Sequence, residues 1–580
     1  MNIYSNIVPK DKVREVQSKT LKIIANALSN TFGPKGSATT IVKDMDKNGN
    51  MVSVDRTKDG HTVVKNIRFL NSIERSVQET LTDLTAYIVK EVGDGTTSAV
   101  ILCSIVFDCL CDDVTVSSSS AADVTKKIDD VVSEVSKRIL DCGWECTLDD
   151  IYDIALISTN NNEDVAGTIK TIYEEYGMDV YVDVGVSTTS EHVVKEYDGM
   201  TMDVGYTNPC FINNKTTNQA IINNPSIYCF KDPIDTPEMT NMVSAIIEQN
   251  IMRAYREPEY MPVPTVIFCK KISPDTAAVF EKVANLMNSV EDVPLLIVSD
   301  VFQDYLYEDI AKMCGAPWIK KYLNLEFQEA DIKAGLAPTP ETVTEFCGHA
   351  DQIVADQLKT KIIRPAKMFN EDGSYSEDYN TMLTYLETEL QKCIDECASV
   401  KDTAEVRRRL NCFKGNMVDF LVGGLTDSDR ESNKAAVEDA ILNCRSAAVN
   451  GVGYGANFMA LKVLNEMKSE NKYAGNAIVS ILYDAYVKLF NVLYGKSYTS
   501  EKDVKEILET SLSMQRPMNI RTNEYDGKVK SSIKSDVIIL ETINKILTLM
   551  YTCNQYLVQA PMHNLYDKDT AAAADGMDFE

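Results

Sequence analysis

The chain has 580 residues, a formal net charge of −28 and an apolar fraction of 44%. That length exceeds what a single hydrophobic core supports, so several domains are expected, and the acidic balance disfavours nucleic acid and anionic membrane surfaces as partners. No unbroken apolar run of about eighteen residues argues for a membrane span, and Met1 to Lys12 lacks the apolar stretch of a secretory signal. The 15 cysteines are odd in number, irregularly spaced and without a Cys-x-x-Cys pair; the four histidines, His61, His192, His349 and His563, lie far apart. Free thiols in a reducing, cytoplasmic compartment are therefore expected, and a zinc site is not.

Val13, Val16, Ile24, Ala27 and Leu28 fall on one face of a helix. The stretch Thr31-Phe32-Gly33-Pro34-Lys35-Gly36 ends it. Thr39 to Lys43 and Met51 to Val54 read as strands of a hairpin turned at Lys47-Asn48-Gly49-Asn50, and Thr57-Lys58-Asp59-Gly60 as a second tight turn. Val77, Leu81, Leu84, Ile88 and Val92 predict one helix, and the almost wholly apolar run Ala99 to Leu110 predicts a buried one. Between them stands Gly93-Asp94-Gly95-Thr96-Thr97-Ser98. One reading is an Asp-Gly turn with a hydroxyl cap. The other is an anion site: glycines admit a phosphate, helix N–H groups face it, and Asp94 suits a phosphate carrying Mg²⁺.

Ser117 to Ala121 is a polar break before a helix near Val124 to Leu140, and Ile157-Ser158-Thr159-Asn160 follows further on. Asp179 to Val184 alternates like a strand. Asp198-Gly199-Met200 opens a new section, continued by Gly205-Tyr206-Thr207-Asn208-Pro209-Cys210-Phe211. Ile267 to Ser273 and Pro294 to Val298 read as strands. Each is followed by a helix, with Val279, Phe280 and Val283 on the first and Leu306, Ile310 and Ala311 on the second; such a stripe is usually core. Pro237 to Met252 predicts another helix, and Glu377 to Leu410 a charged, largely solvated helical pair. Val418 to Val422 is a strand, Gly423-Gly424 a turn, and Glu431 to Val449 a helix burying Val437, Ile441, Cys444 and Ala448. Asp439 lies off that stripe, where a solvent-facing acid is the ordinary reading. As a bare glycine pattern, Gly451-Val452-Gly453-Tyr454-Gly455-Ala456-Asn457 says little.

Taken together and in this order, Thr31 to Gly36, Thr57 to Gly60, Gly93 to Ser98 and Ala436-Val437-Glu438-Asp439-Ala440 resemble the chaperonin family, most closely its bacterial group I (GroEL-type) branch, as a divergent member. The resemblance runs from about Lys12 to near Leu557. It is weak between Phe211 and Val263 and from Gly315 to Phe369. It implies a multidomain α+β fold: a mostly helical, discontinuous equatorial ATP-binding domain (1–140 and 450–580), a two-part hinge (141–198 and 416–449) and an α/β apical domain (199–415). Roughly forty residues around Asn214 to Pro264 are extra to the family pattern. Only the first glycine of a two-glycine hinge is kept, at Gly415-Asn416, and the acidic tail Ala571 to Glu580 lacks Gly-Gly-Met repeats.

The resemblance also implies an activity, an ATP-driven protein-folding machine. Asp94 would hold Mg²⁺, with Gly93, Gly95, Thr96, Thr97 and Ser98 around the phosphates, and Asp439, aided by Asp59, would orient the attacking water. Phe32, Gly33 and Pro34 would pack on the nucleotide and Ser158 would lie near it. Thr31 and Lys58 would help hold a monovalent cation such as K⁺. Gly455 and Ala456 belong to the family's glycine-rich nucleotide loop, with Ala456 and Asn457 replacing two glycines. Asn519 and Asp536 match positions that touch base and ribose. Clients would be non-native proteins bound at an apolar rim of Tyr206, Phe211, Val279, Val283, Leu306 and Ile310, in a homo-oligomeric ring of seven subunits by analogy. Cys210 replaces an aromatic there. The segment 237–252 would pack on the apical sheet, extend the rim or act as a partial lid, and a separate co-chaperonin lid is left open. An alternative function is a nucleotide-binding ring that holds clients without efficient turnover. A P-loop kinase or ATPase is disfavoured because no GxxxxGK[ST] loop occurs.

Overall fold

The computed structural model describes residues 5–559 apart from 46–50, 179, 188, 198, 203, 216, 258, 289–294, 300, 302–303, 320–339, 341, 358, 369, 371–375, 396–405, 407–408, 411–416, 499 and 554. The expected turn at 47–50, the Gly415-Asn416 hinge and the C-terminal tail lie outside the described residues, as does Asp198. The fold is multidomain α+β. The chain forms two compact units, one of residues 1–179, 184–193 and 420–580, the other of 180–183 and 194–419. The residues expected as the hinge fall mostly in the first unit, 141–179 and 420–449 among them. The chain passes between the units along strands Tyr181–Val186, Val193–Tyr197 and Met417–Val422.

The first unit is helical because its sequence repeats apolar residues at helical spacing and marks helix starts with capping side chains. Ser120, inside the predicted polar break, caps the helix Ala121–Asp141 by accepting from the Asp123 N–H at 3.1 Å. Thr147 and Asp150 form a reciprocal capping box on Leu148–Ser158. Helices Lys10–Ser29, Ser72–Val92 and Thr96–Asp112 bury Leu21, Leu28, Leu81, Ile88, Leu102 and Phe107 in one core with Ala477–Gly495 and Ile533–Thr552. Ala477–Gly495 is long and apolar enough to cross a membrane by length and composition alone, and it buries Ile478, Leu482, Leu489 and Tyr494 in this core. Strand Ser5–Pro9 pairs antiparallel with Gln555–Gln559, a junction of the two chain ends that local sequence pattern does not announce.

The second unit is built on a mixed sheet. Leu295–Val298, Thr265–Cys269 and Ser226–Phe230 run parallel; Gly348–Ala355, Thr360–Pro365 and Gly199–Met202 continue it antiparallel. Ser226–Phe230 is buried throughout and occupies the middle of the sheet. The extra stretch thus supplies a central strand as well as a helix. The predicted helix 237–252 is divided: Pro237–Ile247 is α-helical, and Glu248–Met252 widens into a π turn. That turn aims buried Asn250 inward, where its Nδ2 donates to the Tyr228 hydroxyl and to Thr265 Oγ1, each at 3.1 Å. Met239, Met242, Val243, Ile246 and Ile247 are all buried in the unit's core, so the helix packs on the sheet. These side chains are therefore not available as an exposed rim extension. Glu377–Asp395 is largely solvated, as its charge predicts, with Tyr379, Met382 and Leu386 burying one narrow face.

A buried ion network closes one end of this sheet. Lys361 Nζ lies 2.6 Å from Asp183 Oδ2 and 2.7 Å from Asp419 Oδ1, and Lys359 Nζ lies 2.6 Å from Asp183 Oδ1. Burial opposes ionisation of Asp183, but Lys361 and Lys359 outweigh it and hold the carboxyl below the usual range. Removing one partner of a buried pair strands the others. Lys361→Met is expected to destabilise this unit by about 3–5 kcal/mol, read from denaturant unfolding; an unchanged midpoint would contradict this accounting.

Candidate active site

Two helices meet at Gly93-Asp94-Gly95. Ser72–Val92 ends where Gly93 takes φ +70°, and Thr96–Asp112 begins after Gly95 at +93°. Side chains other than glycine avoid these left-handed values. Space forbids them too: a Cβ on Gly95 would lie 2.3 Å from Ile539 Cδ1, and one on Gly93 2.4 Å from Leu442 Cβ. No side chain caps Thr96–Asp112, so its first N–H groups remain available to an anion.

All the residues expected at the nucleotide line one cavity of about 820 Å³ within the first unit. Thr31, Phe32, Gly33 and Pro34 enter it from the end of Lys10–Ser29, where Gly33 (φ +77°) packs under Leu493 and the Phe32 carbonyl accepts from Lys496 Nζ at 2.8 Å. The Thr31 hydroxyl donates to the Leu28 carbonyl at 2.9 Å. Lys58 and Asp59 line the cavity from the following turn. Asp59 caps Gly60–Asn66, its two oxygens accepting from the His61 N–H at 3.1 Å and the Thr62 N–H at 2.7 Å. A Cβ on Gly60 would come within 2.8 Å of both the Thr96 and Thr97 hydroxyls, which measures how closely this turn approaches the uncapped helix start.

Asp439 enters from the helix Asp427–Asn450 and is half-buried, not solvent-facing. Burial, then repulsion from Asp59 and Asp94, pushes its carboxyl well above the usual range. Burial also raises Asp94, against a 2.6 Å bond from the Gly95 N–H. Carboxylates so placed disfavour one another's charge, and a cation among them relieves the cost. Among the described residues no three His, Cys, Asp or Glu side chains form a ready-made metal cage. Mg²⁺ needs none, since it takes one or two carboxylates and completes its shell with phosphate oxygens and water. The donor set therefore fits Mg²⁺ held together with a phosphate.

Asn443, one turn beyond Asp439, is a residue that sequence reasoning missed. Its Nδ2 donates to Asp94 Oδ2 at 3.3 Å and to Ser158 Oγ at 3.4 Å; its Oδ1 accepts from the Ser532 N–H at 2.9 Å and the Ser531 hydroxyl at 3.3 Å. The available signal was an amide four residues after Asp439, on the same helix face. Lys530 was also missed; it ties the adjoining ladder to Asp150 and Asp153, each at 2.7 Å. Gly455 and Ala456 line the cavity, and Ala456 (φ +58°) and Asn457 (φ +56°) both hold the left-handed conformation a glycine would take freely.

Two expected contacts are already engaged. Asn519 Oδ1 accepts from the Arg521 N–H at 3.1 Å and its Nδ2 donates to Asp526 Oδ2 at 3.1 Å, so this side chain builds the cavity wall. Asp536 accepts from the Ala460 N–H at 3.1 Å, at the start of Phe458–Ser469. The six residues expected at a client rim lie in the second unit and do not form one exposed stripe. Phe211 (3% exposed) and Ile310 (0%) are core residues, a correction: Ile310 lies on the stripe of Asp304–Cys314 that packs into the core, and Phe211 is turned into the same core by the short helix Pro209–Phe211. Tyr206, Val283 and Leu306 are partly buried, and Val279 is 50% exposed.

Residues 24–494 match the model of the TCP-1/cpn60 chaperonin family. The chain belongs to that family. Among solved structures it resembles the chaperonin gp146 from the bacteriophage EL 2 (Pseudomonas aeruginosa), crystallised in two forms in the presence of ATP-BeFx. One form aligns with a TM-score of 0.70 at 17% identity over 95% of this chain and 98% of that one. The other gives 0.66 at 18% identity over 95% and 99%. At such identity the likeness establishes the chaperonin fold.

Burial pushes the Asp536 carboxyl up to about 7, against N–H bonds from Ala460 and Met459. Between its ordinary value and 7 the folded chain keeps a proton that the unfolded chain has lost. This group's contribution to stability therefore falls as pH rises through that window and is level above it. Asp536→Asn removes the proton and keeps an acceptor for Ala460. Without nucleotide, the melting temperature of D536N relative to the parent is expected to rise from pH 5 to pH 8, corresponding to a stability difference of at most about 3 kcal/mol. A pH-independent difference would refute the shift.

Proposed function

We propose that this chaperonin captures non-native proteins in the chamber of a homo-oligomeric ring and promotes their folding, driven by Mg-ATP binding and hydrolysis. The observation that carries the reading is that Asp59, Asp94 and Asp439, from three distant parts of the chain, line one cavity with an uncapped helix N-terminus. The crystallisation of a fold relative with ATP-BeFx supports it. Mg²⁺, when bound, would neutralise phosphate charge and fix the geometry of the transferring group. The N–H groups and hydroxyls of Thr96, Thr97 and Ser98 hold phosphate oxygens, and Asp94 is the carboxylate for the metal. Asp439 accepts a hydrogen bond from the attacking water and orients it, with Asp59 beside it. Thr31 and Lys58 would help hold a monovalent cation such as K⁺.

In this proposal residues 1–140 and 450–580 are the equatorial domain, 141–198 and 416–449 the hinge, and 199–415 the apical domain. The client surface retains Tyr206, Val279, Val283 and Leu306. Seven subunits, by analogy with the family, close the ring in a cytoplasmic setting. A second reading, a ring that holds clients with little turnover, draws on the left-handed Ala456 and Asn457 in the nucleotide loop. Steady-state ATP hydrolysis separates the two.

Asp439→Ala is expected to retain nucleotide and lose turnover by roughly 10²-fold or more, while Asp94→Ala weakens Mg-nucleotide binding. Hydrolysis by D439A at the parental rate would refute the assignment. Sedimentation of the full chain with ATP is expected to show a closed oligomer, since a repeated head-to-tail contact avoids fibres only by closing; a monomer at working concentration would contradict the ring.

A further inference from the structure

We infer that Asn457 is a positioning residue that fixes the Ser98 hydroxyl for the nucleotide's phosphates; the inference rests on the nucleotide reading of the cavity. Asn457 is 8% exposed and left-handed at φ +56°. Asparagine tolerates that conformation better than most residues, so it can stand in a glycine position and still project a side chain. The side chain reaches 359 positions back along the sequence, where its Nδ2 donates to Ser98 Oγ at 2.8 Å. Ser98 is itself buried, lines the cavity and is the third residue of the uncapped helix Thr96–Asp112.

A serine hydroxyl carries one proton and two lone pairs. With the amide of Asn457 on its oxygen, the Ser98 proton points elsewhere, and no acceptor for it occurs among the described residues. The cavity at a helix N-terminus is where an anionic oxygen would take it. The second amide atom of Asn457, Oδ1, is buried and without a partner. Reversing the amide would let Oδ1 draw the Ser98 proton away from the cavity, so the direction of this one bond sets whether Ser98 can donate to phosphate. A bare glycine would leave the hydroxyl free to rotate.

The test is a double-mutant cycle on Mg-ADP affinity, measured by calorimetry on the full chain, with Asn457→Gly, Ser98→Ala and the double variant. Glycine accepts the backbone angle, so N457G is expected to fold with the parental melting temperature or above. Each single variant should weaken Mg-ADP about three- to tenfold, and the double variant should bind no more weakly than the worse single one. Parental affinity in N457G, or losses that multiply in the double variant, would overturn the inference while leaving the nucleotide reading intact. A parent chain with no saturable Mg-ADP binding would overturn both.

Discussion

The structure turns on the geometry of Asp94 between two glycines. Gly93 and Gly95 must both be left-handed, and neither has room for a Cβ, because Leu442 and Ile539 close the space. That turn lets one helix end and another begin across three residues, with the second helix's first N–H groups uncapped. The neighbours that press on the turn come from the C-terminal half of the chain. The turn is therefore enclosed by both halves of the first unit, and the cavity is complete only where they meet.

Carboxylates gathered in one cavity disfavour one another's charge, and the surrounding chain offsets that cost with fixed donors. Asp59 is held by two helix N–H groups, Asp94 by Gly95 and Asn443, and Asp536 by Ala460. Donors held by the backbone need no reorganisation when a ligand arrives, which is how preorganised sites gain over water. Asn443 is central, since a single amide links the helix that carries Asp439 to Asp94, Ser158 and the strand Lys530–Ser532. A shift of that helix would be felt at the Gly-Asp-Gly turn through this amide.

Much of the helical unit was legible because period and cap agree there: Ser72–Val92, Thr96–Asp112 and Ala121–Asp141 each follow their apolar stripe. The convergence of Thr31, Asp59, Asp94 and Asp439 was legible only through the motif set, since no local rule joins residues so far apart. The central strand Ser226–Phe230 was missed because a strand buried on both faces lacks alternation. Phe211 and Ile310 were placed at a rim by resemblance alone, and neither a single aromatic nor an apolar stripe says whether it faces solvent or a core. Asn443, and the bond that Asn457 makes, escaped because an amide's role depends on its partners, and theirs, Asp94 and Ser98, are hundreds of positions away.

The central claim is that this cavity is a nucleotide site whose anion end is the Gly-Asp-Gly turn. Isothermal titration of the full chain with Mg-ATP tests it most directly. The account predicts one saturable site per chain, weakened when Mg²⁺ is chelated. The absence of saturable binding at millimolar nucleotide, with the chain folded, would contradict it.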